Sequence, residues 1–255
     1  MQKKVVPTSY ATLPMSNWNA VLLVYRRIDV RLGARGPRAQ RFAHELPDAE
    51  VRDALTSFRA FPALTKDLSN GEATVTYEIV MVEEPLASIT PDGEGAFWPS
   101  PDDTRRALEA FAPEGRRDSL FVFWPQRNLA SGEQIPCRGW GLGAGPSEES
   151  NGATYAVVGN APSWAWSIPI VGEVWLHEWL HGVCRIFEAK GFAMPKSDAD
   201  GGGSHGYTQS KTTGWTDFYR DLMTGQVLDG GKRTGITAEA WRSGVLPIDL
   251  GANPW

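Results

Sequence analysis

Residues Glu173 to Lys190 read EVWLHEWLHGVCRIFEAK, and this segment constrains the fold more than any other. Its apolar residues recur at spacings of three and four and cover most sides of a helix, so the pattern predicts a buried helix over about residues 171–190. Gly191 stands where helices commonly end in a left-handed glycine, and Lys190 complements the negative end of the helix dipole. A helix this apolar must be covered by other elements of the chain.

The same segment contains the pattern His-Glu-x-x-His, formed by His177, Glu178 and His181. Residues four apart lie on one helical face about 6 Å apart along the axis, so both imidazoles can reach one metal ion. Imidazole nitrogen is a ligand well matched to zinc. Glu178 can take a proton from a water on the metal without occupying a ligand position. The pattern therefore predicts a Zn2+ site with Glu178 as the catalytic general base.

In these three residues the chain resembles the zincins, a group of zinc metallopeptidases that carry His-Glu-x-x-His on an active-site helix. The resemblance implies an α+β, zincin-like fold with a mixed β-sheet, a long active-site helix and a loop-rich C-terminal subdomain. It also implies endopeptidase activity on a polypeptide or glycoprotein substrate, bound in extended form along an edge strand at Ala153–Val158. The stricter metzincin motif is not matched, because Cys184 and Phe187 stand where that motif has glycine and histidine.

A catalytic zinc has three protein ligands and one open position, so a third ligand is expected outside the motif. Glu188 lies about 10.5 Å beyond His181 along the helix axis, which is too far for one ion. His205 and Asp200, with Asp198 beside it, lie in a glycine-rich segment that permits a tight return of the chain. The sequence leaves these three residues open as the third ligand.

Tyr207 and Tyr219 are candidate catalytic residues, because a phenol near the metal can hydrogen-bond the oxyanion of a tetrahedral intermediate. Met223 stands where metzincins place a methionine turn beneath the metal, although a core methionine is an equally good interpretation. Trp164 and Trp166 precede the helix and are candidates to line a substrate pocket or to stack on a sugar ring.

The rest of the chain alternates strand and helix patterns, which predicts a mixed sheet covered by the long helix. Loops rich in glycine and proline dominate after Gly191, so we expect an N-terminal subdomain over residues 1–190 and a C-terminal subdomain over residues 191–255 that completes the zinc site. The predicted segments are strands at Trp18–Leu32, 72–83, 119–124 and 153–158, helices from Pro47 and over 102–111, near 215–223 and near 237–241, and a glycine-rich loop at 139–150.

Composition excludes several classes of protein. The chain has 255 residues, of which 42% are hydrophobic and 22% charged, as in ordinary globular proteins and unlike disordered or collagenous ones. A net charge of −5 argues against a nucleic-acid binder driven by positive charge. The longest apolar run, Ala20–Tyr25, is far short of a membrane span. Two lysines near the start resemble the basic start of a signal peptide, but no apolar core follows them. The location of the protein stays open, and only the predicted peptidase activity favours secretion.

Two alternative functions stay open. The 11 tryptophans keep open a zinc hydrolase that acts on glycosylated or non-peptide substrates. The several candidate ligands after Gly191 keep open a non-catalytic protein whose structural zinc site is closed by four protein ligands. The sequence does not decide whether Cys137 and Cys184 form a disulfide.

Overall fold

The computed structural model describes residues 16–33 and 40–244, which form a mixed α/β fold with eleven β-strands and five α-helices. The strands are β1 (Ser16–Tyr25), β2 (Arg27–Leu32), β3 (Gln40–Glu45), β4 (Ala73–Val82), β5 (Thr90–Pro91), β6 (Phe97–Trp98), β7 (Ser119–Trp124), β8 (Gly141–Ala144), β9 (Thr154–Gly159), β10 (Val227–Asp229) and β11 (Lys232–Thr234). The helices are α1 (Asp48–Leu68), α2 (Arg105–Phe111), α3 (Glu173–Ala189), α4 (Thr216–Met223) and α5 (Ala238–Arg242).

Five strands form the central sheet in the order β4-β1-β7-β9-β8. The first four are parallel, and β8 runs antiparallel to β9 at the edge. Every residue of β7 and β9 is buried, which matches their nearly continuous apolar sequences, because a parallel strand is covered on both faces. The short strands β2 and β3 form a separate hairpin.

Alternating side chains of β1 build the cores on both sides of the sheet. Trp18 and Leu22 face α1 and α3, while Val21 and Leu23 face α2 and the β2–β3 hairpin. The first core is rich in aromatic rings, and the Trp18 and Trp179 ring centroids lie 5.1 Å apart with an edge-to-face arrangement. This packing fixes α3 against the sheet and so fixes the side chains that α3 carries.

Most of the predicted elements are present with bounds shifted by a few residues. The long helix predicted over residues 171–190 spans Glu173–Ala189, and the strand predicted at 119–124 is β7. The strand predicted over Trp18–Leu32 is divided at Arg26 into β1 and β2, because β2 leaves the central sheet to pair with β3.

The prediction that residues 153–158 form an edge strand is wrong, because the strand is present but lies inside the sheet. Residues 154–158 belong to β9, which pairs on one side with β7 and on the other with β8. The edge strand next to β9 is β8, which lies inside the segment predicted as a glycine-rich loop. Glycine is depleted in strands because it has no side chain to pack, so the sequence of β8 does not have the usual appearance of a strand.

Residues after Gly191 form short elements that pack onto the first core. Trp241 of α5 stacks on Trp179 of α3 at a centroid distance of 6.1 Å, and Tyr219 of α4 is buried in the same cluster. The division near residue 190 stays a prediction. No helix within residues 16–33 and 40–244 is long and apolar enough to cross a membrane. Cys137 and Cys184 are both free thiols.

Candidate metal centre

The two histidines of the motif point to the same place from α3. The Nε2 atoms of His177 and His181 lie 3.3 Å apart. With Glu178, the two side chains offer three possible ligand atoms that lie within 4.8 Å of one another. The one-turn spacing on a helix held rigidly by aromatic packing produces this convergence.

The other ring nitrogen of each histidine has a hydrogen-bonding partner. His177 Nδ1 lies 2.8 Å from the Tyr219 hydroxyl, and His181 Nδ1 lies 2.6 Å from Asp198 Oδ1. With the hydrogen on Nδ1, each ring donates to its partner and keeps the Nε2 lone pair free for a metal. Tyr219 and Asp198 therefore orient the two rings rather than face the space between them.

Asp200 is brought to the histidine pair by a turn of 3-10 helix at Asp198–Asp200. Its Oδ1 lies 3.4 Å from His177 Nε2, and its Oδ2 lies 3.9 Å from His181 Nε2. The turn begins after Ser197, whose φ of 67° is left-handed, and this reversal sends the chain back toward α3. One short turn therefore supplies both the partner of His181 and a carboxylate beside the two Nε2 atoms.

The spacing of these atoms fits a tetrahedral metal ion. Zinc bonds of 2.0–2.1 Å to nitrogen or oxygen in tetrahedral geometry separate neighbouring ligand atoms by about 3.3 Å. The distances of 3.3 Å between the two Nε2 atoms and 3.4 Å from His177 Nε2 to Asp200 Oδ1 match that edge, while the 3.9 Å from His181 Nε2 to Asp200 Oδ2 is longer than it. Two imidazole lone pairs and a carboxylate oxygen at such spacing suit a divalent cation, because its charge offsets their mutual repulsion.

Burial and charge shift the pKa values of the three motif residues in different directions. Burial, followed by the nearby His181, lowers the pKa of His177 to about 4, so its ring stays neutral. Burial alone lowers the pKa of His181, but the hydrogen bond and charge of Asp198 outweigh this and raise it. Burial also raises the pKa of Glu178 to about 8, which makes its carboxylate a stronger base.

Glycines let β8 lie directly over α3 and cover Glu178. A Cβ at Gly141 would lie 2.5 Å from Glu178 Oε1, and a Cβ at Gly143 would overlap the Glu178 carbonyl oxygen. On the helix, a Cβ at Gly182 would lie 2.5 Å from the Ala144 carbonyl oxygen. These glycines are functional residues that the sequence interpretation missed, although glycine at every second position of β8 is a signal for one bare strand face.

A cavity of about 600 Å³ opens in front of the metal centre. Glu178, His177, His181 and Asp200 line one part of it, and the β8 backbone runs along its rim. The rest of the wall is largely apolar and includes Trp140, Trp166, Ile168, Pro169, Ile170 and Val174. The centre is thus accessible to a ligand with both polar and apolar groups.

Other predicted residues lie away from the histidine pair. The two ring nitrogens of His205 lie 3.0 Å from the Lys196 carbonyl oxygen and 3.2 Å from that of Leu228. The hydroxyl of Tyr207 donates to Asp221 Oδ2 at 2.6 Å. This geometry favours Asp200 over His205 as a ligand and gives Tyr207 a partner outside the centre.

Three further candidate residues differ in their distance from the cavity of the metal centre. Met223 is fully buried at the end of α4, where its carbonyl accepts a hydrogen bond from the Trp241 indole, so a core methionine describes it well. Trp166 lines the cavity and stacks on Trp175, whereas Trp164 is 66% exposed.

Comparison with known proteins identifies no close relative. No family model matches the chain, and no curated protein matches it. Among solved structures, the chain is similar to metalloproteinase-II from Bacteroides fragilis, with 12% sequence identity and a TM-score of 0.36. The similar part covers 69% of this chain and 44% of that protein.

Proposed function

We propose that this protein is a zinc-dependent endopeptidase whose metal ligands are His177, His181 and Asp200. The observation that carries the proposal is the convergence of the two Nε2 atoms and an Asp200 carboxylate, with two of their three separations at the edge length of a tetrahedral zinc site and Glu178 beside them. Three protein ligands and an adjoining cavity leave a fourth position open, as catalytic zinc requires. A structural zinc closed by four protein ligands does not account for that cavity.

Each residue has a separate task in the proposed reaction. His177, His181 and Asp200 hold the ion, while Tyr219 and Asp198 fix the two rings through their Nδ1 atoms. When bound, a divalent ion supplies the Lewis acidity that acidifies a water and polarises a carbonyl group.

Glu178 transfers the proton in this proposal. Its Oε1 lies 4.0 Å from His177 Nε2, close to the histidine pair, and we assign it to proton transfer rather than to holding the ion. The carboxylate takes a proton from the attacking water and passes it to the departing amine as the peptide bond breaks. Burial under β8 keeps bulk water away from this side chain. At a pKa of about 8 the free side chain holds its proton near neutral pH, and the positive charge of a bound divalent ion would favour the deprotonated form that acts as a base.

A peptide substrate is favoured by the position of β8. This strand pairs only with β9 in the part of the chain that the structure describes, so its other edge keeps unpaired N–H and C=O groups beside the cavity. An extended peptide satisfies such groups by adding a strand to the sheet. Its backbone then passes close to the metal centre, where one carbonyl group can be attacked.

The alternative of a glycosylated or non-peptide substrate is less well supported. Its motivation is the tryptophan content, but the core accounts for most of that content. Seven tryptophans are buried, namely Trp18, Trp98, Trp124, Trp166, Trp175, Trp179 and Trp241. Trp140, Trp166 and Trp215 do line the cavity of the metal centre, whereas exposed Trp164 does not.

The proposal is tested with three variants of the full chain. We expect elemental analysis to find about one zinc per chain in the wild type and in Glu178→Gln, while hydrolysis of an unfolded protein substrate falls by about 10²–10⁴-fold in that variant. Asp200→Ala should lose zinc, whereas His205→Ala is the matched control and should retain it. Full activity in Glu178→Gln refutes the mechanism, and loss of zinc in His205→Ala but not in Asp200→Ala refutes the ligand set.

A further inference from the structure

A second cavity of about 410 Å³ continues the groove along β8. It shares Arg138, Leu142 and Gly143 with the cavity of the metal centre and extends past the end of the strand to Gly145. A peptide that lies along β8 therefore passes both cavities. Three acids (Glu173, Glu178 and Asp200) and Arg138 line the first cavity, whereas the charged residues that line the second are Asp92, Arg138 and Arg185.

Arg185 enters the second cavity from the helix of the metal centre. It follows His181 by four residues, as His181 follows His177, so the three side chains form one row on α3. A Cβ at Gly145 would lie 2.9 Å from Arg185 Cβ, which shows how closely the base of this side chain approaches the chain after β8. Arg185 thus continues the functional face of α3 by one turn.

The charges around this cavity leave Arg185 available to a ligand. Asp92 is the one carboxylate among the lining residues, and it accepts hydrogen bonds from Arg138 and from two backbone N–H groups. Arg138 also pairs with Glu94. The nearest acid to Arg185 is Glu188 at 3.7 Å, and both side chains are more than 60% exposed, so this pair is weak and easily replaced.

We propose that Arg185 is a specificity-determining residue that binds an aspartate or glutamate side chain of a peptide substrate. This inference rests on the proposed peptidase function and names a substrate preference for it. The guanidinium group forms two parallel hydrogen bonds with a carboxylate when geometry allows, and this recognises an acid over its neutral amide.

The position of the acidic residue follows from the direction of β8. Antiparallel pairing is the more stable arrangement for an added strand, and β8 runs from the metal cavity at Gly141 toward the second cavity at Gly145. A peptide running the opposite way places residues N-terminal to the cleaved bond near Arg185. One helical turn is about 6 Å, or about two residues of extended peptide, so the acid lies about two residues before that bond.

Paired peptides test this inference on the intact, zinc-loaded protein. Each pair differs only by glutamate or glutamine at one of the three positions before the cleaved bond, and the readout is the ratio of their kcat/KM values. We expect a ratio of about two to five in the wild type at one position, falling to about one in Arg185→Gln and below one in Arg185→Glu. Arg106→Gln is the matched control, because Arg106 is 84% exposed on α2 and pairs only with Glu84 among its recorded ion pairs.

The ratio compares two peptides on one enzyme, so indirect effects of Arg185 on the metal centre through Asp198 cancel. Cleavage with a ratio near one at every position in the wild type overturns the inference and leaves the peptidase proposal standing. A ratio that persists in Arg185→Gln also overturns it. Failure of the zinc-loaded wild type to cleave any peptide overturns both.

Discussion

Tyr219 and Asp198 show how single side chains prepare a metal site. Each lies at the Nδ1 atom of one histidine and holds that ring in its orientation. Asp198 accepts the hydrogen of His181 Nδ1, and the Tyr219 hydroxyl accepts that of His177 in the tautomer whose Nε2 is free for a metal. The buried phenol of Tyr219 has a pKa well above its ordinary value, chiefly because burial disfavours the phenolate. It therefore stays a neutral hydroxyl that can accept the Nδ1–H of His177.

Replacing Tyr219 by phenylalanine tests this orienting role. We expect Tyr219→Phe to fold, because the ring keeps its buried volume, and to bind zinc about 10–100-fold more weakly, because His177 loses its partner. Zinc affinity is measured by competition with a chelator. Tyr207→Phe is the control, since its hydroxyl binds Asp221, and it should keep the wild-type affinity. Equal losses of zinc affinity in the two variants would contradict the role assigned to Tyr219. If Tyr207→Phe retains zinc but has a lower kcat, Tyr207 is restored as a candidate oxyanion donor.

The strand β8 shows how an element without large side chains builds a site. Its glycines at positions 141 and 143 face α3 so closely that the strand covers Glu178 with backbone alone. Side chains at these positions would separate the strand from the helix and open the carboxylate to water. The lack of side chains is thus what lets the edge strand lie over the proposed general base.

Alanine at these two glycines should have different consequences. Gly141→Ala meets the mobile carboxylate of Glu178, so we expect activity to fall at least tenfold with a small change in unfolding free energy. Gly143→Ala meets the helix backbone, which cannot move aside, so we expect a loss of about 1–3 kcal/mol in unfolding free energy. Thermal unfolding and kcat measure the two effects. Gly203→Ala, where nothing lies within 4 Å of the added Cβ, should change neither. Wild-type behaviour of Gly143→Ala would show that β8 does not pack on α3 as described.

The whole molecule is linked by the proposed ion. Two ligands lie on α3 and the third lies beyond Gly191, in a segment whose short elements pack on the shared core. An ion that binds only the folded state raises the free energy of unfolding. The increase grows with the logarithm of the ratio of the free ion concentration to Kd. Metal binding and the docking of the last quarter of the chain should therefore be coupled.

Removal of the ion should lower thermal stability. With zinc at about 1,000 times its Kd, we expect it to add about 4 kcal/mol, which raises Tm by about 10 °C over the chelated protein. Differential scanning calorimetry with and without a chelator measures the difference. Asp200→Ala should show little response to zinc, and equal Tm values for loaded and chelated wild type would contradict the coupling.

The local sequence pattern predicts α3, its histidine pair and the buried strand β7. Helical and strand periodicity and the one-turn spacing of His177 and His181 depend only on neighbours in the chain. Contacts between distant segments settle the rest. The left-handed turn after Ser197 brings Asp200 to the pair while His205 turns toward two backbone carbonyl groups, and no local signal separates these outcomes. The edge position of β8 likewise depends on how closely a bare strand approaches a helix, which is a property of packing and not of propensity.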